Sequence, residues 1–301
     1  MLNEATAQAI ASSEVPKDHD TYYAELTRRN QAFITPAAQK KLRSFKILVA
    51  GCGSTGGACI ESLARFGVEH FALTDNGSYE LNNLNRQHAN LDELGKNKAV
   101  FHGEQVLKIN PFSEVIVHPE GITRENAKEL VQWADLIMDG VDVTTNSGIA
   151  MKIVMHEQAK RFRKPTLAAL DVGFCQWGRS YDYRNPNLEV LDGKAKAASQ
   201  TSNPIKALFT LVPISIVPPH CVKHLWDLLH NPDMSASQLG CTSDLLSAII
   251  VPSVLRFVEY GELVPGWDIN LQSLAFPLSV RLKQAAEAMV LRRKIKKMFD
   301  L

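Results

Sequence analysis

A doubly wound, mainly parallel α/β sheet followed by a C-terminal α+β extension is the fold class that the sequence predicts. Three observations carry this. Short apolar runs rich in β-formers alternate with helix-like segments from residue 45 to about 171. A glycine-rich turn, Gly51-Cys52-Gly53-Ser54-Thr55-Gly56, joins the first run to the first of these helices. Beyond Asp171 the alternation lapses into polar, turn-rich stretches.

Residues 1–20 read as a polar leader, and Thr21 to Leu42 as helical, broken near Thr35-Pro36, where proline suits a first helical turn. FKILVAG is a buried strand. The glycine turn opens a helix over Gly56–Phe66, and HFALTD is a second strand ending in Asp75. Lys96–Ile109 is helical and is stopped by Asn110-Pro111. The series continues with a strand at Glu114–His118, a helix at Arg124–Trp133, a strand at Asp135–Asp139, a helix at Thr144–Phe162 and a strand at Pro165–Leu170. Next come an exposed strand in GRSYDYR, a long loop over 185–205, a strand-like run LFTLVPISIV and a helix at Cys221–His230. A helix at Asp244–Tyr260 bent at Pro252, a strand near Asp268–Leu274 and a basic helix at Ser279–Phe299 complete the chain. The expected division is 1–44 leader and helices, 45–171 nucleotide-binding domain, and 172–301 acceptor or crossover region.

Composition narrows the function classes. The 301 residues are 45% hydrophobic and carry 33 basic against 32 acidic side chains, a net charge of +1 that gives no reason to expect nucleic acid as a partner of the whole molecule. No basic segment followed by an apolar run opens the chain, and the apolar stretches around Leu245–Leu255 and Leu208–Val217 are too short for a membrane span. A soluble, cytoplasmic protein without a membrane partner is the expectation. The five cysteines form no CxxC pair, so neither a disulfide framework nor a zinc site is expected.

The glycine turn sits where a strand meets a helix. Glycines let the backbone approach a phosphate, and free amides at the helix start attract negative charge. Asp75, 19 residues past Gly56 at the end of the next strand, suits ribose hydroxyls. Those features alone say adenine nucleotide. Arg86 and Lys98 add two positive charges that a triphosphate with a leaving pyrophosphate needs more than a dinucleotide does. Asp142, after a strand end, could hold Mg²⁺.

The series GxGxxG, Asp75, Asn83-Leu84-Asn85-Arg86-Gln87, Gly95 to Lys98, Asn110-Pro111 and Asp139 to Asp142 resembles the adenylation domain of the ThiF/MoeB-type, ubiquitin-activating-like family, from about Arg29 to Leu170. The resemblance implies a Rossmann-like fold, with Gly51, Gly53 and Gly56 on the phosphates and Asp75 on the ribose. It implies that Asn83, Arg86, Gln87 and Lys98 grip the triphosphate, that Asp142 binds the metal, and that Arg29 reaches a partner subunit's phosphates in a homodimer. The implied cofactors are ATP and Mg²⁺, and the implied reaction is attack of a substrate carboxylate on the α-phosphate. That substrate is a small acid, or a peptide or protein C-terminus. Gly77 stands where the family usually has a second acid, and Asn146 and Ser147 where it commonly has an arginine.

Two other classes remain. A nicotinamide-dependent oxidoreductase accounts for the glycine turn and Asp75 but leaves Arg86, Lys98 and Asp142 unexplained. A degenerate nucleotide-binding interaction module accounts for Gly77 and the missing arginine. Cys175, Cys221 and Cys241 invite a role as acyl-accepting thiols, but buried or incidental cysteines explain them better. His220, His224 and His230 share one expected helix and read as solvated or capping groups. The basic tail reads as an amphipathic docking helix.

Overall fold

The structure is a computed structural model that describes residues 15–231 and 233–299. Most of the expected polar leader, residues 1–14, lies outside the described residues. Strand β1 (Lys46–Ala50) shows why the sheet is buried on both faces. Its Ile47 and Val49 belong to one apolar cluster and its Leu48 and Ala50 to another, all without solvent contact. Period-two alternation of a wholly apolar strand demands helices on both sides.

Around β1 stand β2 (His70–Thr74), β3 (Glu114–His118), β4 (Leu136–Asp139) and β5 (Pro165–Val172), all parallel. The full sheet has the order β3-β2-β1-β4-β5-β6-β7, its last two strands, β6 (Cys175–Asp182) and β7 (Gly266–Asn270), running antiparallel. The chain therefore builds outward from β1 in both directions, which opens a crevice at the carboxyl ends of β1 and β4.

Helices cover each face. On one lie α2 (Pro36–Ser44), α3 (Gly56–Phe66) and α4 (Lys98–Ile109), preceded in the chain by α1 (His19–Leu26). On the other lie α5 (Ala127–Trp133) and α6 (Asn146–Arg161). Local sequence explains the starts. Thr35 Oγ1 accepts from the Ala38 amide at 3.2 Å ahead of Pro36, Asn97 Oδ1 accepts from Val100 at 3.1 Å, and Thr145 Oγ1 from Gly148 at 3.1 Å.

The C-terminal half departs from expectation at four places. The GRSYDYR strand, expected to be exposed, is β6, paired on both sides and largely buried. The expected loop over 185–205 is packed structure: a 3-10 turn at Val190–Gly193 and helix α7 (Ala195–Ser199), with Leu191 and Ala198 buried. Arg179 grips Asp192 through two hydrogen bonds, and the Tyr183 hydroxyl accepts from the Leu191 amide at 3.1 Å. These contacts hold Leu191 and Asp192 at φ +50° and +56°, which their polar, turn-rich neighbourhood does not announce.

LFTLVPISIV is not a strand. It forms the end of α8 (Pro204–Leu211) and a 3-10 turn at Ile214–Ile216, because Asn203 Oδ1 caps Ile205 and Lys206 while Pro204 sets the first turn. A short apolar run buried on several sides looks the same in either conformation. Finally, the apolar stretch around Leu245–Leu255 belongs to α10 (Gly240–Tyr260), which is long and apolar enough to cross a membrane by length and composition. In the fold its Leu246, Ile250, Val254 and Val258 pack with α2 and α3 over the sheet. Helix α9 (Pro219–His230) packs against the terminal helix α12 (Leu278–Phe299), which follows the short α11 (Gln272–Ala275). The histidines of α9 serve backbone groups: His220 Nε2 accepts from Phe174 at 3.1 Å and His224 Nε2 from Ser237 at 3.0 Å.

Two buried histidines link this packing to pH. His102 on α4 touches the Tyr79 hydroxyl at 3.0 Å, and burial lowers it from 6.5 to about 3. His156 on α6 is likewise lowered by burial, against the opposing pull of Asp139. Both are neutral in the fold near pH 7, whereas the unfolded chain takes up protons below about 6.5. Stability is therefore fully present above pH 6.5 and falls as the pH drops toward 3. We expect urea denaturation to show a loss on the order of 1 kcal/mol per pH unit from His102, and His102→Gln to flatten that slope. An unchanged slope in the variant would exclude His102 as its source.

Candidate functional site

The crevice at the carboxyl ends of β1 and β4 is closed from below by backbone alone. Gly51 has φ +87°, and a Cβ there would lie 2.3 Å from the Gly140 carbonyl oxygen. A Cβ on Gly56 would lie 1.9 Å from the Gly51 carbonyl oxygen. These two glycines therefore bring the start of α3 down onto the strands. Gly53 differs: a Cβ there would meet nothing nearer than Gln87 Nε2 at 3.8 Å, so this turn of the loop faces open space. A phosphate approaching Gly53 would meet backbone amides at the positive end of α3.

Asp75 organises the neighbouring wall. Its Oδ2 accepts from the Cys52 amide at 2.7 Å and its Oδ1 from the Gly77 amide at 2.7 Å. Gly77, where the resemblance leads one to expect an acid, thus supplies a donor instead. Lys98 stands on the other side of Gly77: a Cβ there would lie 3.0 Å from Asp75 Oδ1 and 3.5 Å from Lys98 Nζ. Asn97, whose Nδ2 donates to the Asp75 carbonyl at 2.8 Å, holds the start of α4 in that position.

The Asn83 to Gln87 segment forms the opposite wall. Asn83 is buried and caps its own 3-10 turn, accepting from the Glu80 amide at 3.2 Å, so its part here is to shape the loop. Gln87 is buried beside Gly53 with Oε1 lacking a hydrogen-bond partner. Arg86 is half-buried and held by three acceptors: Asn82 O at 2.8 Å, Asn85 Oδ1 at 2.9 Å, and Gln238 Oε1. The Gln87 Nε2 donor beside open Gly53, together with the two cations, forms a set of groups that fits a polyphosphate.

Of the remaining sequence-derived residues, Asp142 follows the end of β4 at the rim of the crevice, while Arg29 and Asn110 lie apart. Asp142 is exposed, and both its oxygens accept from Thr144, a residue of its own turn. Arg29 sits in a 3-10 turn whose Asn30 donates to the Phe66 carbonyl, at the carboxyl end of α3. That helix has 11 residues, so Arg29 is displaced about 16 Å along it from the glycine turn. Asn110 is at the amino pole of the sheet, where its Nδ2 donates to buried Glu69 at 2.7 Å. Asp139 is a structural acid: wholly buried, it pairs with Lys152 and accepts from His156 at 2.8 Å, and though burial opposes ionisation those partners hold it down at about 2.

Sequence reasoning missed two groups. Asp171, read only as a boundary, faces Ser54, Thr55 and Arg86 from the end of β5. Gln238 lies in a polar run with no motif. Its segment lies over the Asn85–Arg86 wall: Gly240 packs on Asn85 and Arg86, and His88 meets Asp244 at 2.9 Å. Of the thiols, Cys175 is buried and donates to Asp268 at 3.1 Å, and burial pushes both it and Cys221 up to about 12. Cys241 is exposed at the start of α10.

With the glycine turn, Asp75, Arg86 and Lys98 gathered round one crevice, the match of the ThiF family to residues 27–245 decides the lineage. The chain belongs to the ThiF family. Among relatives, it is 30% identical over 146 residues to the adenylyltransferase and sulfurtransferase UBA4 of Lodderomyces elongisporus, covering 46% of this chain and 32% of that one. It is 34% identical over 137 residues to protein HesA of Nostoc sp., covering 45% and 52%. The chain thus spans from about a third to about half the length of these relatives. The crystal structure of PaaA shares the ThiF-type fold at a TM-score of 0.60 and 19% identity, over 86% of this chain and 82% of that one. E. coli MccB solved with ATP gives a TM-score of 0.51 at 18% identity, over 78% and 66%.

The glycines of this ThiF crevice make separable predictions. Gly56→Ala forces backbone apart and should destabilise the fold by about 1–3 kcal/mol or more in chemical denaturation. Gly53→Ala should leave that midpoint unchanged and weaken ATP binding measured by calorimetry. The opposite assignment of effects would refute the geometry of the loop.

Proposed function

We propose that this chain activates a substrate carboxylate by ATP-dependent adenylation. The observation that carries the reading is the open side of Gly53, with the Gln87 Nε2 donor nearest to it and Arg86 and Lys98 on the flanking walls, beside a carboxylate suited to ribose. A carboxylate oxygen of the substrate attacks the α-phosphorus, an acyl–O–P bond forms, and the bond to the β-phosphate oxygen breaks to release pyrophosphate. No enzyme nucleophile is required. Lys98 and Arg86 offset charge on the phosphates, Gly51, Gly53 and Gly56 admit them to the start of α3, and Asp75 keeps lone pairs for the ribose hydroxyls. Asn83 shapes the wall from which Arg86 and Gln87 project. Mg²⁺, when bound, supplies charge neutralisation at the phosphates, and exposed Asp142 is available to hold it once it turns from Thr144. Residues 172–301 supply the acceptor side, and the carboxylate belongs to a small acid or to a peptide or protein C-terminus.

Arg29 is too far from its own glycine turn to act there, which supports a homodimer in which it reaches the partner subunit's phosphates. Equal mixtures of Arg29→Ala and Lys98→Ala proteins should then recover about a quarter of the adenylation rate, because only one site per mixed dimer carries both groups. Recovery at the background level would exclude the shared site.

Calorimetry with ATP–Mg²⁺ and NAD tests the reading directly. We expect ATP to bind and NAD not to, and Arg86→Ala or Lys98→Ala to weaken ATP by about tenfold or more, roughly 1.4 kcal/mol. Binding that justifies it leads to a pyrophosphate-exchange screen of carboxylates. Tight NAD binding without ATP would overturn the proposal in favour of an oxidoreductase, and binding of neither would favour the degenerate module.

A further inference from the structure

Asp171 is a carboxylate in the crevice with an unmet need. Strand β5 runs four residues past Ala168, its last pairing with β4, and so carries Asp171 about 10 Å beyond the edge where β4 ends. Leu167 and Ala169 pack on the α3 and α10 side, and strand alternation puts Asp171 on that same side. There it faces the Ser54 and Thr55 hydroxyls at the start of α3 and the Arg86 guanidinium. Its Oδ1 accepts from Gln176 Nε2, which also reaches the Thr242 carbonyl at 3.5 Å. Ser243 donates to the Ser54 carbonyl at 2.6 Å and locks the first turn of α10 against the glycine turn. Asp171 Oδ2 is buried in the midst of these groups with no hydrogen-bond partner.

A buried carboxylate oxygen left bare costs stability unless a ligand completes it. Burial raises the Asp171 carboxyl, against the Ser54 hydroxyl first, then the Arg86 charge, and the Thr55 and Gln176 side chains, which hold it down. If Arg86 turns from Gln238 to a phosphate, Asp171 loses that compensation as a polyanion enters. A divalent cation restores the balance. Mg²⁺ is held by one or two carboxylates together with phosphate oxygens and neutral oxygens such as hydroxyls, and that is the donor set gathered here.

We propose that Asp171 Oδ2 is, in addition to Asp142, a protein ligand for the divalent cation that accompanies ATP, at a site completed by Ser54, Thr55 and the phosphates. This rests on the ATP-binding reading above. The test is ATP affinity by calorimetry, in Mg²⁺ and in EDTA, for the full chain and for Asp171→Asn and Asp171→Ala, with folding checked by circular dichroism. Two variants are used because one of them can fail to fold. The native chain is expected to bind ATP more tightly in Mg²⁺, and the variants to lose about tenfold or more of that gain while binding ATP in EDTA as well as before. Mn²⁺–ATP should give an immobilised paramagnetic spectrum with the native chain and a free one with the variants. A metal-dependent gain that survives in the variants overturns the proposal, as does ATP binding by the native chain that is indifferent to metal. Variants that lose ATP binding in EDTA also overturn it, since Asp171 would then serve the nucleotide in another way. Failure of the native chain to bind ATP in either buffer would bring down the nucleotide reading, and the ligand assignment with it.

Discussion

Everything at the carboxyl edge of the sheet depends on the contact among Gly51, Gly56 and Gly140. No side chain fits between these backbones, so the amino end of α3 rests directly on the ends of β1 and β4. The contact sets where free helix amides point, and it does so at the place where the strand order reverses. Asp75 then ties the end of β2 to the same turn through the Cys52 amide. A carboxylate and a helix start are thereby locked together before any ligand arrives.

Buried charge divides the molecule into a structural pole and a chemical pole. At the amino pole Glu69 is satisfied by Arg43, His19 and Asn110 and fastens α1 and α2 to the sheet. Asp139 is satisfied by Lys152 and His156, and His156 Nδ1 accepts in turn from the Tyr183 hydroxyl at 2.7 Å. That chain of contacts connects the floor of the crevice to the packed segment around Leu191. At the crevice the rule changes: Gln87 Oε1 and Asp171 Oδ2 are left without partners.

The C-terminal half is more than an appendage. Strands β6 and β7 extend the same sheet, and α10 covers the face that α3 begins. Gln238, Gly240 and Asp244 reach back to Arg86, Asn85 and His88, so the wall that presents Arg86 is built from two distant parts of the chain.

Much of the architecture was legible in the sequence, because five strands and their helices carry local signatures: apolar runs of strand length, capping residues at helix starts, and glycines where backbones must touch. The glycine turn, Asp75, Arg86, Gln87 and Lys98 were legible too, since each is placed by an adjacent element. Beyond residue 182 the three long helices were legible, but the segments between residues 185 and 217 were not. An apolar run buried on several sides, such as LFTLVPISIV, has no period to separate helix from strand, and the ordered turn at Leu191 owes its conformation to Tyr183 and Arg179. Only the tertiary structure could separate Asp139, satisfied by residues on α6, from Asp171, left bare beside the glycine turn. Both acids end apolar strands in the sequence. What distinguishes them is which distant groups the fold brings within hydrogen-bond reach, and that is a property of packing between elements.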